Sequence, residues 1–174
     1  DTLFTSSLAI EKYLGVADEV LEAVLPAQPK HLSPEGVAAR ERLLVASPGS
    51  DLTARDAARQ VLNDFGARAF RRPVAADEVD RLLVLFDRGW ARGDGYEGSL
   101  RLPLTAVLVS PHFLFLAEPE PETTGVQPLA PFPLASRLSY FLWSSMPDAE
   151  LRQLAASGEL LKDTVYREQV RRML

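Results

Sequence analysis

Any chemistry in this chain has to come from a short inventory: two histidines, no cysteine and a handful of polar groups set among apolar neighbours. His112, in SPHFLF, is the first candidate, because an imidazole suits an axial haem ligand or a metal ligand. No second histidine or cysteine stands near it at ligand spacing, and Glu118 lies six residues on. The competing reading is a histidine at a helix break that satisfies freed backbone groups. His31 sits in a proline-rich loop and offers less. Arg137, in LASRLSYFLW, carries a guanidinium fork suited to an anion, or else is an exposed arginine paired with Asp148, Glu150 or Glu118. Trp143 and Tyr140 have faces for stacking on a sugar or quinone, although such rings beside Leu and Phe mostly build cores. His112, Arg137 and Trp143 are thus the pocket candidates, and convergence on one cavity is the condition for a site.

The remaining polar groups point away from catalysis. Asp148 and Glu150 are two residues apart, so on a helix they face different sides and cannot flank one substrate. First-turn acids complementing the positive helix end explain them better. Ser110, Ser139, Ser144 and Ser145 stand outside any Gly-x-Ser-x-Gly elbow, and no phosphate-cradling glycine loop, zinc signature or calcium loop occurs. No catalytic, cofactor-binding or metal-binding residue is assigned.

Composition narrows the class. The chain has 174 residues, 47% hydrophobic and 25% charged, which is globular usage with enough length to bury a core. A net charge of -5 argues against nucleic acid, which needs a concentrated basic surface. The local cluster Arg68, Arg71 and Arg72 precedes Pro73 and reads as positive charge at a helix C-terminus. Without cysteine there is no disulfide, thiolate site or covalent haem attachment within these residues. The opening Asp1-Thr2-Leu3-Phe4 lacks the features of a signal peptide. The longest uncharged run, 102–117, is broken by Pro103, Pro111 and His112 and is too short to cross a bilayer.

The elements that would position these groups read as helices. Leu8, Ile10, Tyr13, Leu14, Ala17, Leu21 and Val24 predict a helix from Ser6 or Ser7 to Val24 with that stripe inward. Residues 25–52 form a proline-rich loop in which Ser33-Pro34-Glu35 caps a short helix and Leu43-Leu44-Val45 is a short extended piece. Thr53, with Asp56 three residues on, caps a helix running through Phe70 to the stop at Pro73. The next spans Ala76–Ala91 with Val79, Leu82, Leu83, Phe86 and Trp90 inward, and Gly93-Asp94-Gly95 turns the chain. Another covers Tyr96–Val109, with Pro103 inside it, and Ser110-Pro111 restarts a short turn. Residues 117–133 read as a semi-rigid linker. Helices follow at Leu134–Ser144, at Pro147–Ser157 with Ser145 as cap and Gly158 at its end, and from Asp163 to the terminus. The fold class is all-α: an N-terminal lobe over 1–116, the linker, and a C-terminal lobe over 134–174, the two lobes packed together.

Three blocks carry a resemblance: ARAFRRPVAADEVDRLL (67–83), LTAVLVSPHFLFLAE (104–118) and LASRLSYFLWSSMPDAEL (134–151). Together they resemble a bacterial group of domains of unknown function, abundant in planctomycetes and myxobacteria. That group occurs in large exported proteins that often carry c-type cytochrome domains. The opening IEKYLGVADEVLEAV looks like the end of the domain preceding these blocks. Members continue past a QVRRML-like helix, so the resemblance implies a piece of a longer protein or a reduced relative. It also implies a periplasmic or extracellular location, with haem c on associated domains only. The group has no established reaction, so it supplies no catalytic residue.

The expectation is a non-catalytic helical scaffold or interaction module. Its C-terminal lobe would meet other domains or a protein partner, because Val170, Met173 and Leu174 need cover. Two alternatives stand beside it: a pocket-forming part of an exported redox or degradative enzyme, and an accessory subunit docked on a larger membrane complex.

Overall fold

The computed structural model describes residues 7–28, 31–116 and 128–174. Among these it contains nine α-helices and no strand, so the fold is all-α. The helices are α1 (Ser7–Val24), α2 (Pro34–Leu43), α3 (Ala54–Ala69), α4 (Ala76–Arg92), α5 (Gly95–Leu108), α6 (Pro111–Leu114), α7 (Pro131–Trp143), α8 (Ala149–Ser157) and α9 (Asp163–Met173). They fall into two compact units. One holds the described residues up to Ala69 with Pro73–Leu114; the other holds Phe70–Arg72 and the described residues from Phe115 onward.

In the first unit, Leu62, Leu83, Leu100 and Leu104 have no exposed surface, and Phe86 is almost as deeply buried. Leu21 of α1, Leu25 just past its end and Leu43 of α2 close this core. The centre is the antiparallel pair α4 and α5, joined by the tight turn predicted at Gly93-Asp94-Gly95. Gly93 takes φ 87°, a left-handed cap that only glycine accepts cheaply. A second glycine sets how near the helices come. A Cβ on Gly89 would stand 2.9 Å from the Ser99 Cα, and the Ser99 hydroxyl, fully buried, donates to the Gly95 carbonyl at 2.5 Å.

Capping residues act largely as their types dictate. Ser33 accepts from the Gly36 N–H at 3.1 Å and starts α2, while the Thr53 hydroxyl accepts from the Asp56 N–H at 3.1 Å ahead of α3. Leu43-Leu44-Val45 is not extended. The α2 helix runs through Leu43, Leu44 takes φ -85° and ψ 65°, and the Val45 N–H donates to the Leu43 carbonyl at 3.0 Å. That is a γ-turn, a conformation that three-residue periodicity cannot reveal. Trp90, expected inward, is 49% exposed. Its ring stacks on Phe86 at 6.0 Å with the other face open.

In the second unit, α7 and α8 bury Ala135, Leu138, Leu151 and Ala155 against Leu160 and Met173. The α7 helix starts at Pro131, not Leu134, so the linker expected over 117–133 is shorter at its C-terminal end; residues 117–127 lie outside those described. Prolines fit there because the first-turn N–H groups of a helix have no partner within it. Arg71 belongs to this unit. It holds φ 57°, is 6% exposed, donates to the Phe115 carbonyl at 2.8 Å and lies 5.9 Å from the Tyr140 ring centroid. Arg71 thus does more than complement a helix end, while Arg68 stands in the last turn of α3 as expected.

Two glycine substitutions separate close approach from helix propensity. Gly89→Ala should destabilise by about 1–3 kcal/mol, because the Ser99 backbone must yield. Gly15→Ala, whose Cβ would meet nothing within 4 Å, should stabilise by up to about 1 kcal/mol. Urea unfolding midpoints of the two variants check the signs.

Candidate interaction surface

The sequence expectation for α1 holds for its back half only. Ala17, Leu21 and Leu25 are 4%, 3% and 1% exposed, and Arg101 of α5 clamps that half. Its guanidinium reaches Asp18 at 2.6 Å and Glu22 at 3.0 Å and also donates to the Leu25 carbonyl. Leu8, Ile10, Tyr13 and Leu14, all expected inward, are exposed. The period is right, but α1 runs past the helices that cover its second half. A further set, Val16 and Val20, is 59% and 50% exposed. With Ala9 and Tyr13 it forms a line at spacings of four, three and four residues. Lys12 and Glu19, seven residues apart, share one edge of this line, and both are exposed. Aligned apolar side chains on the solvent face of a helix mark an interaction surface better than single exposed residues do.

Among the described residues, the first unit also has concavities. A cleft of about 590 Å³ lies between the start of α5 and the segment from Pro26 through α2, with Leu32, Val37, Arg40, Tyr96 and Glu97 in its wall. Its charges are already engaged. Arg40 Nε donates to Glu97 Oε2 at 3.0 Å, and this hydrogen bond pushes the Arg40 pKa upward. The Tyr96 hydroxyl donates to the Ala46 carbonyl at 2.9 Å, and burial, then the Glu97 charge, push its pKa up to about 12. A neutral phenol and a neutralised ion pair offer neither base nor nucleophile near pH 7. A narrower slot of about 240 Å³ is lined by Val20, Val24, Leu43, Phe65, Arg42, Arg68 and Leu108. There Arg68 Nε is buried without a hydrogen-bond partner, although the same guanidinium pairs with Asp64 at 2.8 Å.

The three pocket candidates are divided between the units. His112 belongs to the first, exposed, with Nε2 4.0 Å from Glu78 Oε1, and it lines neither concavity. Arg137 and Trp143 belong to the second unit, where Arg137 is exposed on α7. The Trp143 indole N–H donates to the Met173 carbonyl at 3.0 Å, and the Arg172 guanidinium lies 5.3 Å from its ring centroid. Both faces of its chemistry are occupied by α9. Among the described residues no group of three His, Asp or Glu side chains is placed to hold a metal ion.

Arg172 is the residue that sequence reasoning missed. Asp148, expected as a first-turn acid behind a Ser145 cap, is itself the N-cap of α8 and accepts from the Leu151 N–H at 2.9 Å. Its other oxygen takes Arg172 at 2.7 Å, while Gln169 bridges Glu150 at 2.7 Å and Arg172 at 2.8 Å. The signal available in the sequence was the pair Gln169 and Arg172, three apart on one helix face. Nothing local said which acids they would meet. Val170 and Met173 are likewise covered inside this unit, Met173 at 6% exposure. Exposed apolar side chains here, namely Leu116, Phe141, Met146, Leu161 and Leu174, stand on five separate segments. The aligned surface is therefore on α1, not at the C-terminus.

Residues 57–118 match the family model described as PSD5, protein of unknown function (DUF1595), and residues 129–174 match PSD4, protein of unknown function (DUF1592). Two stretches of the chain are thus similar to two domain families of unknown function. The first match runs from α3 through α6 and the second covers α7–α9, so α1 and α2 precede both. No curated protein and no solved structure matches the chain. No described helix is long and apolar enough to cross a membrane.

The Asp148 corner gives a pH signature. Burial by itself raises its pKa, but the Arg172 hydrogen bond, the Leu151 N–H and the Arg172 and Arg152 charges outweigh burial and leave it below the usual carboxylate value. A pKa lower in the folded than in the unfolded state gives stability that is present above the unfolded value and lost as pH falls through the folded one. Asp148→Asn keeps the cap but removes the charge. It should cost under about 1 kcal/mol near pH 7, the group being partly exposed, and that deficit should shrink as pH falls below about 4, the ordinary carboxylate value. Thermal melts of both proteins at the two pH values measure it.

Proposed function

We propose that this chain is a non-catalytic helical interaction module that presents α1 to a protein partner. One observation carries the reading: Tyr13, Val16 and Val20 lie in line on a helix whose opposite face is already anchored by Leu21, Leu25 and Arg101. A face that does not serve the core costs solubility when left in water, so its alignment favours a partner. The candidate polar groups support the same reading, because each major charge in the cleft and at the Asp148 corner is neutralised by a neighbour. We further propose that the module is part of an exported, periplasmic or extracellular protein associated with c-type cytochrome domains, with any haem c carried outside this chain. The similarity of the three blocks supports that location and association; the chain's own residues offer no attachment cysteine.

A photo-crosslinking residue placed at Val16 or Val20 in the protein in its native cells tests this, with the exposed Glu168 of α9 as the control position. Discrete intermolecular adducts are expected from α1 and not from the control. Equal or absent crosslinking at the two places would overturn the module reading.

A further inference from the structure

We propose that α1 pairs with α1 of a second copy of this chain, antiparallel about a two-fold axis. This deepens the reading of α1 as a docking surface by naming its occupant. The spacing of Ala9, Tyr13, Val16 and Val20 is that of alternating positions in a two-helix seam. The charges on its solvent edge decide the partner and the direction. In a parallel pair, Lys12 and Glu19 would lie across from Ala17 and Val24, which are apolar and turned toward the core. In an antiparallel pair whose axis passes between Tyr13 and Val16, Lys12 faces the second copy's Glu19, and Glu19 faces its Lys12.

The same register places Tyr13 against the second copy's Val16 twice, and Val20 against its Ala9 twice, large against small. A cation and, seven residues on, an anion on one edge of the seam are complementary to themselves once turned end for end, which is the property of a two-fold interface. The seam is short, so the dimer is weak and reversible.

Sedimentation velocity of the full chain over a concentration series at low salt tests the proposal. The unmodified protein should show a concentration-dependent dimer. Val20→Asp, at a position half-exposed in the single chain, should keep the helical circular dichroism spectrum and lose the dimer. Lys12→Glu and Glu19→Lys should each weaken association about five-fold, since each loses two exposed ion pairs and gains like-charge contacts. Combining them should restore it to within about two-fold of the original, because the swapped charges pair again. A protein that stays monomeric throughout, a Val20→Asp variant that still dimerises, or a double variant no better than the singles would each overturn it. Monomeric behaviour together with a crosslink from Val16 to a different protein would remove the self-pairing and leave the docking surface standing.

Discussion

The close approach of α4 and α5 is the constraint on which the first unit rests. At Gly89 the helix has no side chain, and the space where a Cβ would be is already taken by the Ser99 backbone. That approach lets Phe86 and Leu83 of one helix interlock with Leu100 and Leu104 of the other, in the manner of ridges entering grooves. Gly93 then reverses the chain within a single residue of left-handed backbone. With this pair fixed, α3 supplies Ala58, Val61 and Leu62, while α1 and α2 close the remaining side with Leu21, Leu25 and Leu43.

The attachment of α1 follows from that arrangement and explains its divided character. Arg101 projects from α5 and collects Asp18, Glu22 and the Leu25 carbonyl, so the last two turns of α1 are held by both charge and apolar burial. The first turns extend beyond α5 and have no core beneath them. The second unit solves a smaller problem by different means. Its apolar core is modest, and the link between α8 and α9 is reinforced by Asp148, Glu150, Gln169 and Arg172, with Trp143 locked to Met173. Groups that as residue types suggested a site are used there to join helices.

Much of the fold was legible because it depends on local signals. Ser33 and Thr53 capped the helices that their types and spacing indicated, and Gly93 and Gly158 ended α4 and α8 in left-handed geometry. Legibility failed where a distant neighbour decided the outcome. Ser145 and Asp148 are both good caps by type, and Arg172, far along the chain, selects Asp148. Pro131 and Pro133 looked like linker residues, yet they open α7, since a proline suits both a linker and a first turn. The contacts of Trp143 with Met173 and Arg172 of α9 were likewise beyond any local signal.

What the sequence by itself determined is the all-α class, the order of the helices, most of their caps and the absence of a thiol or phosphate-binding motif. Each depends on residue type and on spacing within a few positions. The tertiary structure alone decided which apolar stripe is core and which is surface. Ile10 and Leu14 share the period of Leu21, and a period reports only that residues face the same way. Whether another helix lies in that direction is a property of where α5 ends. For that reason the surface that carries the functional reading lies in a helix whose one predicted stripe, taken alone, faced inward along its whole length.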